Sequence, residues 1–176
     1  MEEVYRIAKV HAPSFMSPLG IGLDIAFFGC MFKCEGCHNP RLQDFLFSDN
    51  LLTFEDVKRK MHSVSHESIS TINIYGGEPL HQHNIVKFLE EINSRYKTHI
   101  TLYTGFEWEE VPAKVKQFCK MIKTGRYIKD LRHDTYNGKA KLASKNQKYH
   151  IKDFKGEWFI YDGTRDIQSF LKHRTG

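Results

Sequence analysis

The chain reads as an α/β protein, either a partial (β/α) barrel or an open, mostly parallel sheet. Segments with an apolar period of two alternate along it with segments of helical period, the order that βαβ units produce. Its 176 residues fall short of the roughly 250 that a complete eight-unit barrel takes. The cysteine- and glycine-rich stretches all follow strands directly, where ligands lie in parallel sheets.

Each element has its own warrant. In "GIGLDIAFFG" (20–29), Ile21, Leu23, Ile25 and Phe27 alternate with Gly22, Asp24, Ala26 and Phe28, which predicts a strand running into the cysteine loop. "TFEDVKRKMHSV" opens with Thr53 and carries Asp56 three residues on, close to a capping box, with Phe54, Val57, Met61 and Val64 on one helical face. "STINIYGGEP" predicts a short strand, Thr71 to Tyr75, ended by two glycines. "NIVKFLEEINSRY" places Ile85, Leu89, Ile92 and Tyr96 on one stripe of a helix, and "HITLYTG" predicts the next strand. "EWEEVPAKVKQFCK" reads as helical, restarted by Pro112, because proline fits a first turn and not an interior. "MIKTGRYI" and "EWFIY" predict two further strands. The polar, basic segment near 130–156 is expected to be irregular, and residues 1–176 to form one domain.

Hydrophobic and aromatic contents of 40% and 13% indicate a packed core. No apolar run reaches the roughly 20 residues of a membrane helix, and the N-terminus lacks the basic and apolar stretches of a signal peptide. A cytoplasmic location is expected, where clustered thiols serve metals or redox chemistry more often than disulfides. The net charge of +5 is modest. Lys139, Lys141, Lys145, Lys148, Lys152 and Lys155 gather late in the chain, as a solvated face or a docking surface for an acidic partner. No nucleic-acid-binding module accompanies them, so nucleic acid is not an expected partner.

The chemistry concentrates in "GCMFKCEGCHNP" (29–40), which holds three of the four cysteines, Cys30, Cys34 and Cys37. Thiolates are soft ligands for zinc, copper(I) or iron–sulfur clusters. A structural zinc needs four protein ligands. His38 adjoins Cys37 too closely for easy joint coordination, and Cys119 is distant in sequence, either a fourth ligand or a buried inert thiol. With three thiolates, one iron of a four-iron cluster stays open to a group that is not protein. Gly29 and Gly36 allow the loop to wrap such a cluster. "GGEP" (76–79), after the next strand, is an ordinary turn by itself; beside the cysteine loop it becomes a ligand cradle, its Glu78 a partner for an ammonium group.

On these residues the chain resembles the radical S-adenosylmethionine family, whose members carry a C-x₃-C-x₂-C loop after one strand and a "GGE" stretch after the next. "CxGCHN", "YTGFEWEE" and "SKNQK" (144–148) add a likeness to the activating enzymes of glycyl-radical proteins, over about residues 20–148. Two features depart from the pattern: Gly36 stands where many members have an aromatic, and "TGRYI" where "DG.F" is usual.

The resemblance implies a fold of the radical S-adenosylmethionine type, with Cys30, Cys34 and Cys37 on three irons of a [4Fe–4S] cluster and S-adenosylmethionine on the fourth. It implies reductive cleavage of S-adenosylmethionine to a 5′-deoxyadenosyl radical that installs a glycyl radical on an anaerobic ribonucleotide reductase. Sulfonium reduction calls for a low-potential donor, of flavodoxin or ferredoxin type. Gly76, Gly77 and Glu78 are the candidates for the methionine amino end, Gly36 and His38 for adenine, Thr104 for ribose, and Asn146 and Gln147 for the rim of the site. No side chain is required as general acid or base. The alternatives are a radical enzyme acting on a small molecule such as a deazapurine precursor, and a non-catalytic zinc-binding module.

Overall fold

The computed structural model describes residues 5–46, 51–133, 142–161 and 167–174. Among the described residues, seven strands form one open sheet in chain order: β1 (Ile7–Ser14), β2 (Gly22–Phe27), β3 (Thr71–Gly76), β4 (His99–Tyr103), β5 (Met121–Thr124), β6 (Lys148–Lys152) and β7 (Trp158–Tyr161). Helices α1 (Phe54–Ser63), α2 (Ile85–Arg95) and α3 (Ala113–Phe118) connect β2 to β5, and α4 (Ile167–Arg174) follows β7.

The sheet is open, not a closed barrel, and it is mixed where a mostly parallel one was expected. Strands β2 to β5 are parallel, but β1 joins β2, β6 joins β5, and β7 joins β6 in antiparallel fashion. Strand β6 lies inside the segment expected to be irregular. "KYHIK" does alternate, burying Tyr149 and Ile151, but lysines at both ends mask the apolar pattern. A hairpin turn then leads to β7: Asp153 Oδ1 accepts from the amides of Lys155 and Glu157, each at 2.8 Å. Strand β1 and helix α4 fall where the sequence pattern assigns no element. Of the late lysines, Lys139 and Lys141 lie outside the described residues. Lys152 is no free surface charge, because its Nζ donates to the carbonyls of Lys116 and Gln117.

Alternation divides the sheet into two unlike faces. One presents Leu23, Ile25, Phe27, Ile72, Ile74, Ile100, Leu102 and Ile122, packed with Val57 and Met61 of α1, Phe88, Leu89 and Ile92 of α2, and Val115 of α3. Helix α1 is held by the expected capping box, Thr53 N–H donating to Asp56 Oδ2 at 2.7 Å and Asp56 N–H to Thr53 Oγ1 at 3.3 Å. The other face is polar in its middle: Asn73 Nδ2 donates to Asp24 Oδ1 (2.8 Å), and the Thr71 and Thr101 hydroxyls meet at 3.0 Å. Toward β7 this second face becomes apolar and packs Met121, Tyr149, Ile151 and Tyr161 against Ile167 and Leu171 of α4. Among the described residues, no helix is long and apolar enough to cross a membrane.

Candidate metal and cofactor site

Three loops meet at the carboxyl ends of β2, β3 and β4. The cysteine loop is fixed at its start by Gly29 N–H donating to Leu42 O (2.7 Å) and Cys30 N–H to Gln43 O (3.0 Å). The "GGEP" turn docks onto it through Gly77 N–H to Phe27 O and Glu78 N–H to Gly29 O, both 2.8 Å. Close approach explains the glycine: a Cβ on Gly77 would stand 2.4 Å from Gly29 O and 2.5 Å from Leu42 O. At Gly29 the backbone takes φ +98°, and a Cβ would overlap the Phe45 ring at 2.5 Å.

These loops enclose a cavity of about 270 Å³. Cys30, Cys34, Cys37, His38, Gly76, Gly77, Glu78 and Thr104 all line it, so eight of the nine residues expected to hold the cluster or S-adenosylmethionine come together. Gly36 does not line it; it is exposed and sits against Tyr127. Gln147 lines the wall, while Asn146 beside it ties down the next loop, its Nδ2 donating to Arg126 O at 2.9 Å. Cys119 lies elsewhere, just past α3 in the apolar core, where burial pushes its thiol up to about 12.

The polar groups of the cavity are strongly organised. Glu78 is 1% exposed, and its carboxylate accepts from Leu80 N–H (2.9 Å), Thr104 Oγ1 (2.7 Å) and Gly105 N–H (2.7 Å). Burial raises its pKa against these hydrogen bonds and the pull of Lys123. Thr104 also accepts from Phe106 N–H at 3.1 Å, so Glu78 and Thr104 join the ends of β3 and β4 into one rigid unit. Burial likewise raises Cys30, opposed by the Phe32 amide and reinforced by the charges of Glu78 and the other two cysteines.

The residue that sequence reasoning missed is Lys123. It sits on the second face of β5, in register with Tyr103 on one side and Tyr149 on the other, and all three line the cavity. Desolvation lowers its pKa to about 8, although Glu78, Cys34 and Glu107 favour its charged form. Nζ donates to Gly125 O at a long 3.3 Å. A lysine in the middle of "MIKTG", at a position where the strand's period puts it opposite Ile122, was the available signal.

Among the described residues no three His, Cys, Asp or Glu converge on a single metal ion. A mononuclear zinc requires each sulfur at about 2.3 Å from one centre. A polynuclear cluster instead takes each thiolate on a different iron. The donor set suits the second: three thiols and a desolvated lysine, Lys123, line one cavity, with the close-packed glycine turn beside them.

A profile for the 4Fe-4S single cluster domain matches residues 19–150. The chain belongs to that family. The anaerobic ribonucleoside-triphosphate reductase-activating protein of Enterobacteria phage T4 is 26% identical over 128 residues, covering 70% of this chain and 81% of that one. GTP 3′,8-cyclases are also similar: that of Clostridium perfringens strain SM101 is 30% identical over 36% of this chain, and that of Sulfurovum sp. 33% over 42%. These matches cover only 20% and 22% of the cyclases' own lengths. The likeness to radical S-adenosylmethionine proteins is thus borne out, and with it a [4Fe–4S] cluster and S-adenosylmethionine as cofactors.

Proposed function

We propose that the protein cleaves S-adenosylmethionine reductively and uses the resulting radical to activate an anaerobic ribonucleotide reductase. The observation that carries this reading is the convergence of Cys30, Cys34, Cys37, Gly77 and Lys123 on one cavity. The match to the phage activating protein, which extends over most of both chains, favours a protein substrate; the cyclases share only a fifth of their length.

When bound, the cluster with its S-adenosylmethionine supplies one electron to the sulfonium and so a carbon radical able to take a hydrogen atom. The chain's own part is placement. Cys30, Cys34 and Cys37 would hold three irons of the cluster, leaving the fourth to the amino acid end of S-adenosylmethionine. Gly76 and Gly77 line the space for that end, and the lack of a side chain at each lets the turn pack directly on the backbone of Phe27, Gly29 and Leu42. Glu78 faces the ammonium with whatever acceptor capacity its three hydrogen bonds leave, and braces the wall through Thr104. Lys123, short of hydrogen-bond partners and desolvated, pairs with the carboxylate. His38, whose ring lies 5.3 Å from that of Tyr127, stands on the adenine side. Tyr75, Tyr103 and Tyr149 also line the cavity, and their rings help keep water from a reactive radical.

The test is anaerobic reconstitution followed by incubation with S-adenosylmethionine and dithionite. Iron and sulfide of about four each per chain, 5′-deoxyadenosine release, and a glycyl-radical doublet on added reductase are expected. One zinc per chain with no 5′-deoxyadenosine would overturn the reading; 5′-deoxyadenosine without the doublet would leave the chemistry and remove the partner.

A further inference from the structure

A lysine and an arginine line the cavity, Lys123 and Arg126, and only the first is used in the function proposed above. Among the described residues the Arg126 guanidinium meets no carboxylate at ion-pair distance; what it meets is a ring, lying over Phe32 at 4.1 Å. Phe32 stands in the cysteine loop between Cys30 and Cys34. Its own amide donates to the Cys30 thiol. One residue thus links the guanidinium to a cluster sulfur.

The placement is built from several sides. Phe32 packs against His81 and Phe106 at ring distances of 5.1 and 4.8 Å. Gly105 makes room for the stack: a Cβ there would meet the Phe32 ring at 2.6 Å and Arg126 Cγ at 3.5 Å. The turn that carries the arginine is tied from behind. Asn146 Nδ2 donates to Arg126 O (2.9 Å) and Gln147 Nε2 to Gly125 O (3.0 Å). A guanidinium stacked on an aromatic face keeps its charge, and unlike a desolvated lysine it does not give up its proton. The cavity that holds three thiols therefore also holds a fixed, unpaired positive charge.

We propose that Arg126 acts through the cluster, as a charge that raises its reduction potential, a proposal that rests on the function given above. An electron added to a thiolate-held cluster makes it more negative, and a cation fixed close by favours that reduced form. The step is the transfer of one electron: an external low-potential donor loses it, the cluster gains it, and no bond forms or breaks. Arg126 contributes no ligand, so its removal leaves a cluster that forms but is harder to reduce.

The experiment is a redox titration of the cluster-loaded full chain without S-adenosylmethionine, followed by the electron paramagnetic resonance signal of the reduced cluster. Arg126→Gln should hold iron as wild type does and shift the midpoint down. Its reduction should become about fivefold less favourable, the worth of one charge several ångströms away in a partly solvated site. Arg126→Lys keeps the charge and should recover most of the midpoint. Arg132→Gln deletes the same charge from an exposed position outside the cavity and should leave the midpoint in place. Added salt should narrow the gap between wild type and Arg126→Gln. Should Arg126→Gln fail to retain iron, Arg126→Met, which still packs on Phe32, takes its place with the same expectation. A wild-type midpoint in the neutral variant would overturn the proposal. So would an equal fall in Arg126→Lys, which would make stacking and not charge decisive, or an equal fall in Arg132→Gln, which would assign the effect to net charge alone. A wild-type cluster that releases no 5′-deoxyadenosine with dithionite and S-adenosylmethionine would remove the underlying function, and the midpoint comparison would still stand or fall separately.

Discussion

Ile122 and Lys123 are neighbours on one strand and belong to different halves of the molecule. Ile122 is fully buried in the apolar core under the helices; Lys123 projects beside Tyr103 and Tyr149 into the cavity. The same division runs through every parallel strand, with Leu23 against Asp24, Ile72 against Asn73, and Leu102 against Tyr103. One face holds the fold together, the other is free to carry polar chemistry, and a period of two keeps them apart.

The loops at the strand ends give the largest separation of the two roles. Replacing Cys34 by serine should abolish iron retention and 5′-deoxyadenosine formation while leaving the circular dichroism spectrum intact. Cys119→Ala should do the reverse, keeping full iron content and lowering stability by about 1–2 kcal/mol in urea unfolding. Iron loss in the Cys119 variant would contradict its place in the core.

Next comes the apolar face itself. Ile122→Ala removes a fully buried side chain beneath the helices and should cost about 2–5 kcal/mol, read as a shift in the urea midpoint. Affinity of the folded protein for S-adenosylmethionine should change little, because nothing on that face reaches the cavity.

Lys123→Met is the matched change one residue on. It keeps the length of the side chain and deletes a desolvated charge, so stability should hold or rise. Affinity of the cluster-loaded protein for S-adenosylmethionine, measured by equilibrium dialysis, should fall about tenfold, the worth of roughly 1.4 kcal/mol for one charge-assisted hydrogen bond. Unchanged affinity would make Lys123 a structural residue and remove its assigned role.

This contrast also explains what was legible in the sequence. Strands β2 to β5 and helices α1 to α3 show clean periods because each is in the middle of the layered core, with one side fully apolar. Cys30, Cys34, Cys37, Gly76, Gly77 and Glu78 were legible because their chemistry and spacing are local. Strand β1 runs along the sheet edge, where Lys9 and His11 stand among the apolar residues and Pro13 breaks the pattern. Strand β6 hides Tyr149 and Ile151 between lysines. Lys123 and the tyrosine row depend on register between strands distant in sequence, which no local pattern contains. The sequence offers Glu78 only as a partner for an ammonium group; that Thr104 and Gly105 bond it follows from the parallel pairing of β3 with β4.

The smallest effect tests a polar group on the wrong face. His150 is in register with Ile122, stacks on Trp108 at 4.1 Å, and its Nε2 lies 3.1 Å from Thr124 Oγ1. Burial lowers its pKa to about 4 from an ordinary 6.5, with Lys148 and Lys116 adding to the shift and Glu109 opposing it. In the unfolded chain the ring takes its proton as pH falls through about 6.5; in the folded protein it stays neutral until about 4. The unfolded state therefore binds the extra proton in between, and stability is full above that window, declines as pH falls across it, and levels below. Allowing for partial solvent screening, the loss attributable to this ring is on the order of 1–2 kcal/mol. Urea midpoints between pH 7 and 4 should show it, and His150→Phe, which keeps a ring on Trp108 and cannot titrate, should flatten that part of the curve. An equal slope in the variant would assign the loss to the carboxylates instead and clear the helix-bearing face of any titratable weakness.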